Sequence, residues 1–212
     1  MTQRAALERG LEELKVALPG SACDQLIAYV TLLAKWNRSY NLTAIREPNA
    51  MVSQHLLDSL AVLPHLPIVA PKARVADVGT GAGLPGIPLA LARPQWHVAL
   101  IESNQKKAAF LRQATIELGM KNAEVHEGRV EAWHPASLFN LVISRAFAEL
   151  AEFVAACRHL LVPGGVLAAM KGKRPDRELK QLPPDVQCGS VIALRTPQLD
   201  AERHLVLCEL KA

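Results

Sequence analysis

A glycine-rich stretch, ADVGTGAGLPGIPLALA at residues 76–92, has the residue types and spacing of a nucleotide-binding turn. Three of its glycines form the pattern G-x-G-x-x-G, namely Gly81, Gly83 and Gly86. In a dinucleotide-binding protein such a turn holds a pyrophosphate on free N–H groups at the start of a helix. Here Pro85 and Pro88 have no N–H to donate, and the carboxylate of Asp77 would repel a diphosphate. The stretch therefore favours a nucleotide-like cation, and S-adenosylmethionine carries an ammonium and a sulfonium but no phosphate.

Further polar residues follow the other predicted strands. Glu102 comes about twenty residues after the glycine loop, the spacing at which an acidic side chain accepts hydrogen bonds from ribose hydroxyls. Residues 128–131 follow the third predicted strand, and Arg145 follows the fourth. Glu102 alone does not distinguish NAD from S-adenosylmethionine. The latter is favoured by Asp77, the two prolines and three closely spaced glycines: Gly79, Gly81 and Gly83.

The elements that position these residues fall into two parts. Residues 1–70 are predicted to form a helical amino-terminal extension, because apolar residues recur there at helical spacing in three runs. From Arg74 onward, short apolar runs alternate with helical segments, which predicts one α/β domain over residues 71–212. The expected architecture is Rossmann-like, a doubly wound and mainly parallel seven-stranded sheet that binds its ligand at the carboxyl ends of the strands.

The composition excludes several classes of protein. Half of the 212 residues are hydrophobic, which is enough for a sizeable core. No apolar run approaches the ~18 residues that span a bilayer, and the charged amino terminus does not resemble a signal peptide. We therefore expect a cytoplasmic protein with no membrane partner. The four cysteines show no metal-binding spacing, which predicts buried thiols, no disulfide framework and no metal site.

With S-adenosylmethionine as the expected ligand, the leading hypothesis is a methyltransferase. The residues at the predicted ligand edge then limit which chemical groups could accept the methyl group. An exocyclic amine usually calls for an Asn/Asp-Pro-Pro-aromatic loop after the fourth strand, where this chain has Ser-Arg-Ala-Phe. Cys157 lies in a predicted helix, which disfavours carbon methylation through a cysteine nucleophile. No Asp occurs between Asp77 and Asp176 to hold a metal, and His55 with Asp58 is interpreted as a capped or core-facing helix pair rather than a metal pair. An acceptor such as guanine N7 carries no proton to remove, so we predict no general base.

Seven motifs, in this order, resemble the glucose-inhibited division protein B family, RsmG, the bacterial N7-guanine methyltransferases of 16S ribosomal RNA. The motifs are WNRSYNLTAI, HLLDSL, DVGTGAGLPGIPLA, QKKAAFL, GRVE, SRAFA and MKGK. The resemblance implies a class I methyltransferase fold, S-adenosylmethionine as donor, and 16S rRNA or the small ribosomal subunit as partner. It also implies cofactor contacts at five positions: Gly79, Leu84, Val130, Glu131 and Arg145.

These implied contacts have a chemical rationale. The N–H group of Val130 could reach an adenine ring nitrogen, while Glu131 accepts from the exocyclic amine. A guanidinium beside a sulfonium would be repulsive. Arg145 is therefore expected to contact the methionine carboxylate or an RNA phosphate.

Two further features suit RNA. Residues 171–180, KGKRPDRELK, contain five basic and two acidic residues, and this net +3 is most of the chain's +4. The basic residues, which could hold phosphates or form a solvated face, are Lys171, Lys173, Arg174, Arg177 and Lys180. Trp36 and Tyr40 flank Arg38, and they are predicted either to stack on a flipped-out base or to pack in the core.

Three other functions stay open from the sequence. An NAD-dependent oxidoreductase is permitted by the G-x-G-x-x-G pattern, although the prolines and Asp77 disfavour it. A non-catalytic ribosome-assembly factor is disfavoured by the intact set of Asp77, Glu102 and GRVE, and a small-molecule methyltransferase by the basic residues at 171–180. We expect a monomer with no DNA partner.

Overall fold

The computed structural model of the protein describes residues 2–67, 71–145, 147 and 149–211. The α-helices are α1 (Gln3–Leu14), α2 (Ala22–Tyr40), α3 (Pro48–Met51), α4 (Asp58–Leu60), α5 (Gly86–Ala92), α6 (Gln105–Glu117), α7 (Leu150–Cys157) and α8 (Asp176–Leu179). A π-helical segment, Val52–Leu57, joins α3 to α4, and short 3-10 helices cover Leu63–His65, Val130–Ala132 and Arg158–Leu160. In this described part of the chain no helix is long and apolar enough to cross a membrane.

The strands are β1 (Arg74–Val78), β2 (His97–Glu102), β3 (Ala123–Glu127), β4 (Phe139–Ser144), β5 (Leu161–Lys171), β6 (Val186–Cys188), β7 (Ile192–Ala193) and β8 (His204–Leu210). They form one sheet in the order β3-β2-β1-β4-β5-β8-β6, with β7 paired to β8. The pairs among β1 to β5 are parallel, whereas β8 is antiparallel to β5, β6 and β7. The predicted doubly wound, mainly parallel sheet is confirmed. The described residues form eight strands where seven were predicted, and the strand that was not predicted is the three-residue β6.

The order of the strands reverses between β1 and β4. In sheets of this kind the ligand lies in the crevice outside the carboxyl ends of the strands at such a reversal. The loops after β1, β2, β3 and β4 therefore border the expected site.

The amino-terminal helices pack on the sheet. Leu7, Leu26 and Leu56 belong to the same hydrophobic cluster as Val75 and Leu100. Because each buried leucine contributes about 2 kcal/mol, this shared core ties the helical extension firmly to the α/β part. The predicted boundary between residues 70 and 71 adjoins residues 68–70, which lie outside the described residues.

Two of the four cysteines form a disulfide, so the prediction of buried thiols is wrong for this pair. Cys188 of β6 and Cys208 of β8 lie directly opposite each other in the antiparallel register and are bonded. Their separation of 20 residues matches no spacing rule, and only the register brings them together. Cys23 and Cys157 are free, and Cys157 is buried.

Candidate active site

The loop between β1 and α5 uses its glycines for two different purposes. Gly79 and Gly81 have φ values of +66° and +62°, a region that glycine adopts most readily. A Cβ atom at Gly79 would meet no heavy atom within 4 Å, and one at Gly81 only the Gly79 oxygen at 3.9 Å, so both face open space.

The other two glycines of the loop face the protein interior. A Cβ atom at Gly83 would lie 2.4 Å from Ile87 Cδ1, and one at Gly86 would lie 2.7 Å from Asp77 Oδ2. Leu84, between them, is buried in the hydrophobic core. Gly86 therefore permits close packing of α5 on the sheet, whereas Gly83 leaves room for the side chains of Ile87 in α5 and Leu111 in α6. The structure thus separates Gly83 from the glycines that face open space.

Asp77 is fully buried, which was not expected of a carboxylate at the mouth of a strand. Its Oδ2 atom accepts hydrogen bonds from the Thr80 hydroxyl and, at 2.7 Å, from the Gly86 N–H. Among the described residues its Oδ1 atom has no hydrogen-bond partner. Burial raises the pKa of Asp77 to about 6, while the hydrogen bonds from Thr80 and Gly86 oppose the rise. The carboxylate thus shapes the loop and keeps one buried acceptor atom unpaired.

The start of α5 offers little to a phosphate. The Gly86 N–H is donated to Asp77, the Ile87 N–H to the Gly83 oxygen, and the Leu89 N–H to the Pro85 oxygen. Pro88 has no N–H. Because these first-turn donors are already used, the arrangement disfavours the NAD-binding alternative.

Glu102 joins the loop to the next strand. Its Oε2 atom accepts the Gly81 N–H at 2.9 Å and its Oε1 atom accepts the Asn104 N–H at 2.8 Å. A carboxylate has about four acceptor positions, so two remain for hydroxyl donors. Glu102 is therefore held rigidly at the carboxyl end of β2, next to the glycine loop.

A small cavity of about 100 Å³ opens between the ends of β1, β2 and β3. It brings together three of the predicted residues, Gly79, Val130 and Glu131. The remaining lining residues are Val78, Ile101, Ser103, Gly128, Arg129 and Phe147. Apolar walls with a few polar groups suit a flat heteroaromatic ring.

Sequence reasoning gave no ligand contact to the six remaining lining residues, three of which are Ser103, Arg129 and Phe147. Ser103 directly follows β2, and Arg129 follows β3 by two residues, so their places at strand ends were the available signal. Phe147 lies in the SRAFA motif, where nothing in the sequence indicates the direction of its ring.

Arg145 lies instead in a second, larger cavity of about 380 Å³, together with His55, Asp58, Lys171 and Arg203. Gly172, Met170, Ile45 and Gln54 complete its lining. Lys171 ends β5 and Arg203 directly precedes the antiparallel β8, so both lie at the edge where β1 and β4 also end. The second cavity therefore opens at the predicted edge of the sheet, on the β5 side.

A buried carboxylate organises this second cavity. Asp58 accepts hydrogen bonds from Arg203 Nε at 2.7 Å and from Arg145 Nη1 at 3.2 Å. Arg145 was expected to contact a ligand carboxylate or an RNA phosphate, but in this structure its guanidinium contacts Asp58 and the Gln54 carbonyl. The core-facing interpretation of Asp58 is confirmed by its burial. Arg203 was missed, because nothing in the sequence relates it to a residue 145 positions away.

His55 is unsuited to act as a base. Its Nδ1 atom lies 3.0 Å from the Gln54 carbonyl, which can only accept, so this nitrogen carries the proton. Its Nε2 atom then accepts from the Thr43 hydroxyl at 2.9 Å. Burial, and secondarily the charge of Arg145, lowers the pKa of His55 to about 4. The imidazole is thus neutral and engaged on both nitrogens.

The basic residues of 171–180 differ in their exposure and in their ion pairs. The side chain of Lys171 is only 10% exposed, and its ammonium lies 2.7 Å from Glu178, so it is not part of an outer phosphate-binding surface. Arg174 is exposed and paired with Asp176. The other exposed basic residues are Lys173, Arg177 and Lys180.

Comparison with known proteins now identifies the family. The family model described as "GidB: rRNA small subunit methyltransferase G" matches residues 22–206. The chain belongs to the GidB family. This membership confirms the resemblance that the sequence motifs indicated.

Relatives of this GidB-family chain cover its whole length. "Ribosomal RNA small subunit methyltransferase G" of Laribacter hongkongensis is 52% identical over 211 residues, which are 100% of both chains. The protein of the same name from Burkholderia thailandensis is 50% identical, over 99% of this chain and 92% of the relative. A solved "SAM dependent methyltransferase from Aquifex aeolicus" is 20% identical to this chain, with a TM-score of 0.55. The matched region covers 72% of this chain and 90% of the chain in that structure. This last likeness concerns the fold alone.

Proposed function

We propose that this protein transfers the methyl group of S-adenosylmethionine to N7 of one guanine in the 16S rRNA of the small ribosomal subunit. The observation that carries the proposal is the GidB family match over residues 22–206. Methylation of ribosomal RNA follows from that membership. The choice of guanine N7 rests on the motifs and on the chemistry of the site.

The residues of the smaller cavity fit S-adenosylmethionine. The open space beside Gly79 and the apolar walls of the cavity suit a nucleoside. Asp77 is buried beneath the loop, and its carboxylate, whose Oδ1 atom has no hydrogen-bond partner among the described residues, favours a nucleoside that carries a positive charge. We assign the adenine to Val130 and Glu131 and the ribose hydroxyls to Glu102. When bound, this molecule supplies an electrophilic methyl group on a sulfonium. The role of the chain is to hold the nucleoside at the glycine loop and to leave its reactive end open towards the second cavity.

The reaction needs no general base in this proposal. Guanine N7 has a free lone pair at neutral pH, so direct displacement requires alignment rather than proton removal. His55, the histidine that lines the second cavity, is neutral and hydrogen-bonded on both nitrogens. The second cavity then serves to position the guanine, and its arginines are held in place by Asp58.

We further propose that RNA phosphates bind the exposed residues Lys173, Arg174, Arg177 and Lys180, which follow β5 at the same edge of the sheet. This contact is electrostatic and carries no sequence information. The expected partner is 16S rRNA or the small subunit, the expected state is a monomer, and the expected location is the cytoplasm.

The test supplies the purified protein with isotopically labelled S-adenosylmethionine and with small subunits or 16S rRNA from a strain that lacks this modification. Digestion to nucleosides and mass spectrometry should detect labelled 7-methylguanosine. A protein that binds S-adenosylhomocysteine but labels neither substrate would favour the assembly-factor alternative. Label in another nucleoside would refute the choice of N7. Binding of NADH in place of S-adenosylhomocysteine would favour the alternative function, an NAD-dependent oxidoreductase.

A further inference from the structure

An aromatic and basic patch lies at the ligand edge of the sheet, on the β2 side. It consists of Trp36, Arg38, Tyr40, Lys106 and Lys107. The helices α2 and α6 run antiparallel, since the Gln25 side chain contacts the Leu118 carbonyl at one end and the ring of Trp36 contacts Phe110 further along. Because α6 begins directly after β2, the carboxyl end of α2 and the first turn of α6 both lie at the edge where Glu102 is held.

The aromatic part of this patch is only half explained by core packing. The Trp36 ring lies 5.6 Å from the Phe110 ring, edge to face, and it is partly buried against the core. The Tyr40 ring lies 5.2 Å from Trp36, yet it is 47% exposed. Core packing thus accounts for Trp36, whereas Tyr40 presents ring surface to the outside.

The charged side chains in the two stretches of sequence that form this patch are all basic. No acidic residue occurs between Asp24 and Glu47 on the α2 side, or between Glu102 and Glu117 on the α6 side. The basic residues in these two stretches are Lys35, Arg38, Arg46, Lys106, Lys107 and Arg112. Of these, only Arg112 takes part in an ion pair among the residues that the structure describes. The two stretches therefore favour a polyanionic partner.

Lys106 and Lys107 also occupy positions that are unfavourable for the stability of α6. They occupy the first turn of α6, where no acidic residue is present and where the helix dipole disfavours positive charge. Such a local conflict is expected where an external ligand supplies the missing charge. An exposed tyrosine ring at the same edge of the sheet as cations without ion pairs is a combination that binds unpaired nucleotides, by stacking of the base and neutralisation of the phosphate.

We infer that the aromatic and basic patch binds an unpaired segment of the RNA substrate, with one base stacked on Tyr40 and adjoining phosphates on Arg38, Lys106 and Lys107. The inference rests on the proposed function. It adds a second RNA contact, on the β2 side of the glycine loop, to the one proposed after β5. The RNA then spans the site and is held on both sides of the reacting guanine.

The test measures binding of a 16S rRNA transcript to the full-length protein in the presence of S-adenosylhomocysteine. Tyr40→Ala and Tyr40→Leu are expected to weaken binding about fivefold or more, the low end for one stacked base, with an unchanged salt slope. Tyr40→Phe keeps the ring and should stay within about twofold of the parent. Ile116→Ala is the matched control, because Ile116 is 74% exposed at the opposite end of α6. Arg38→Ala should instead lower the salt slope by about 0.7 to 0.9.

Equal affinities of the parent and the Tyr40→Leu variant for the transcript would overturn the inference. The same result is expected if the partner of this patch is an acidic protein rather than RNA. The Leu and Phe variants have side chains of similar apolar bulk, so their difference does not depend on a folding defect in Tyr40→Ala. A parent protein that binds the transcript but forms no 7-methylguanosine would contradict the proposed function. The comparison of affinities at Tyr40 would still decide whether the patch binds RNA.

Discussion

Replacing Asp77 by Asn is expected to stabilise the ligand-free protein above pH 6 and to weaken its binding of the methyl donor. Burial raises the pKa of Asp77 from the ordinary value of 3.8 to about 6. A carboxyl group with this change costs about 3 kcal/mol of folding free energy when it is ionised. The amide oxygen of Asn can still accept from Thr80 and Gly86, while the new NH₂ group lacks an acceptor and costs about 1 kcal/mol or more. The net gain at pH 8 is about 1 to 2 kcal/mol.

The pH dependence has a defined sign. Between about pH 4 and 6 the folded protein keeps a proton on Asp77 that the unfolded chain has already released. Lowering the pH through this window therefore favours the folded parent, and the penalty of the buried charge disappears towards pH 4. The advantage of the Asn variant in free energy of unfolding should be largest at pH 8 and vanish between about pH 5 and 4.

Urea unfolding followed by circular dichroism at pH 5, 6, 7 and 8 measures this difference, and calorimetry at pH 8 measures the affinity for S-adenosylhomocysteine, which keeps the ammonium group. Asp176→Asn is the control, because that carboxylate is exposed and should change stability by less than about 0.5 kcal/mol. A stability difference that is the same at every pH would refute the raised pKa. Unchanged affinity in a stable Asp77→Asn protein would refute its part in binding the donor.

Three further predictions concern the loop, the chemistry and the RNA. Gly81→Val should fold, with a loss of about 1 to 2 kcal/mol in free energy of unfolding, but should no longer bind S-adenosylhomocysteine in calorimetry. Gly83→Val should unfold at a clearly lower urea concentration, because its side chain meets Ile87. Equal effects of the two changes would contradict the two roles. The single-turnover rate with saturating cofactor and RNA should be nearly flat between about pH 6.5 and 8.5, and a tenfold rise per pH unit would indicate a base. Lys173→Ala/Arg174→Ala should lower the salt slope of RNA binding by about 0.7 to 0.9 for each phosphate that the variant no longer neutralises, and should leave S-adenosylhomocysteine affinity unchanged; a slope equal to that of the parent would leave these residues as a solvated face.

Local features of the sequence were sufficient to predict the framework of the site. Alternation of strands and helices predicts the doubly wound sheet, since the hydrophobic period depends only on near neighbours. The same holds for the turn at Gly79 and Gly81, where a positive φ requires glycine, and for Glu102, whose distance along the chain places it at the end of the next strand.

The tertiary structure alone decided which of these residues face open space and which are enclosed by the protein. It assigned Gly83 to helix packing and buried Asp77 beneath the loop. It also brought Asp58 to Arg145, 87 residues away, and joined Cys188 to Cys208. Such contacts depend on strand order and register, which are set by packing of the whole core. A residue's type and its near neighbours therefore determined the elements of this protein, whereas the partner of each buried charge and thiol was determined only when the sheet and the amino-terminal helices came together.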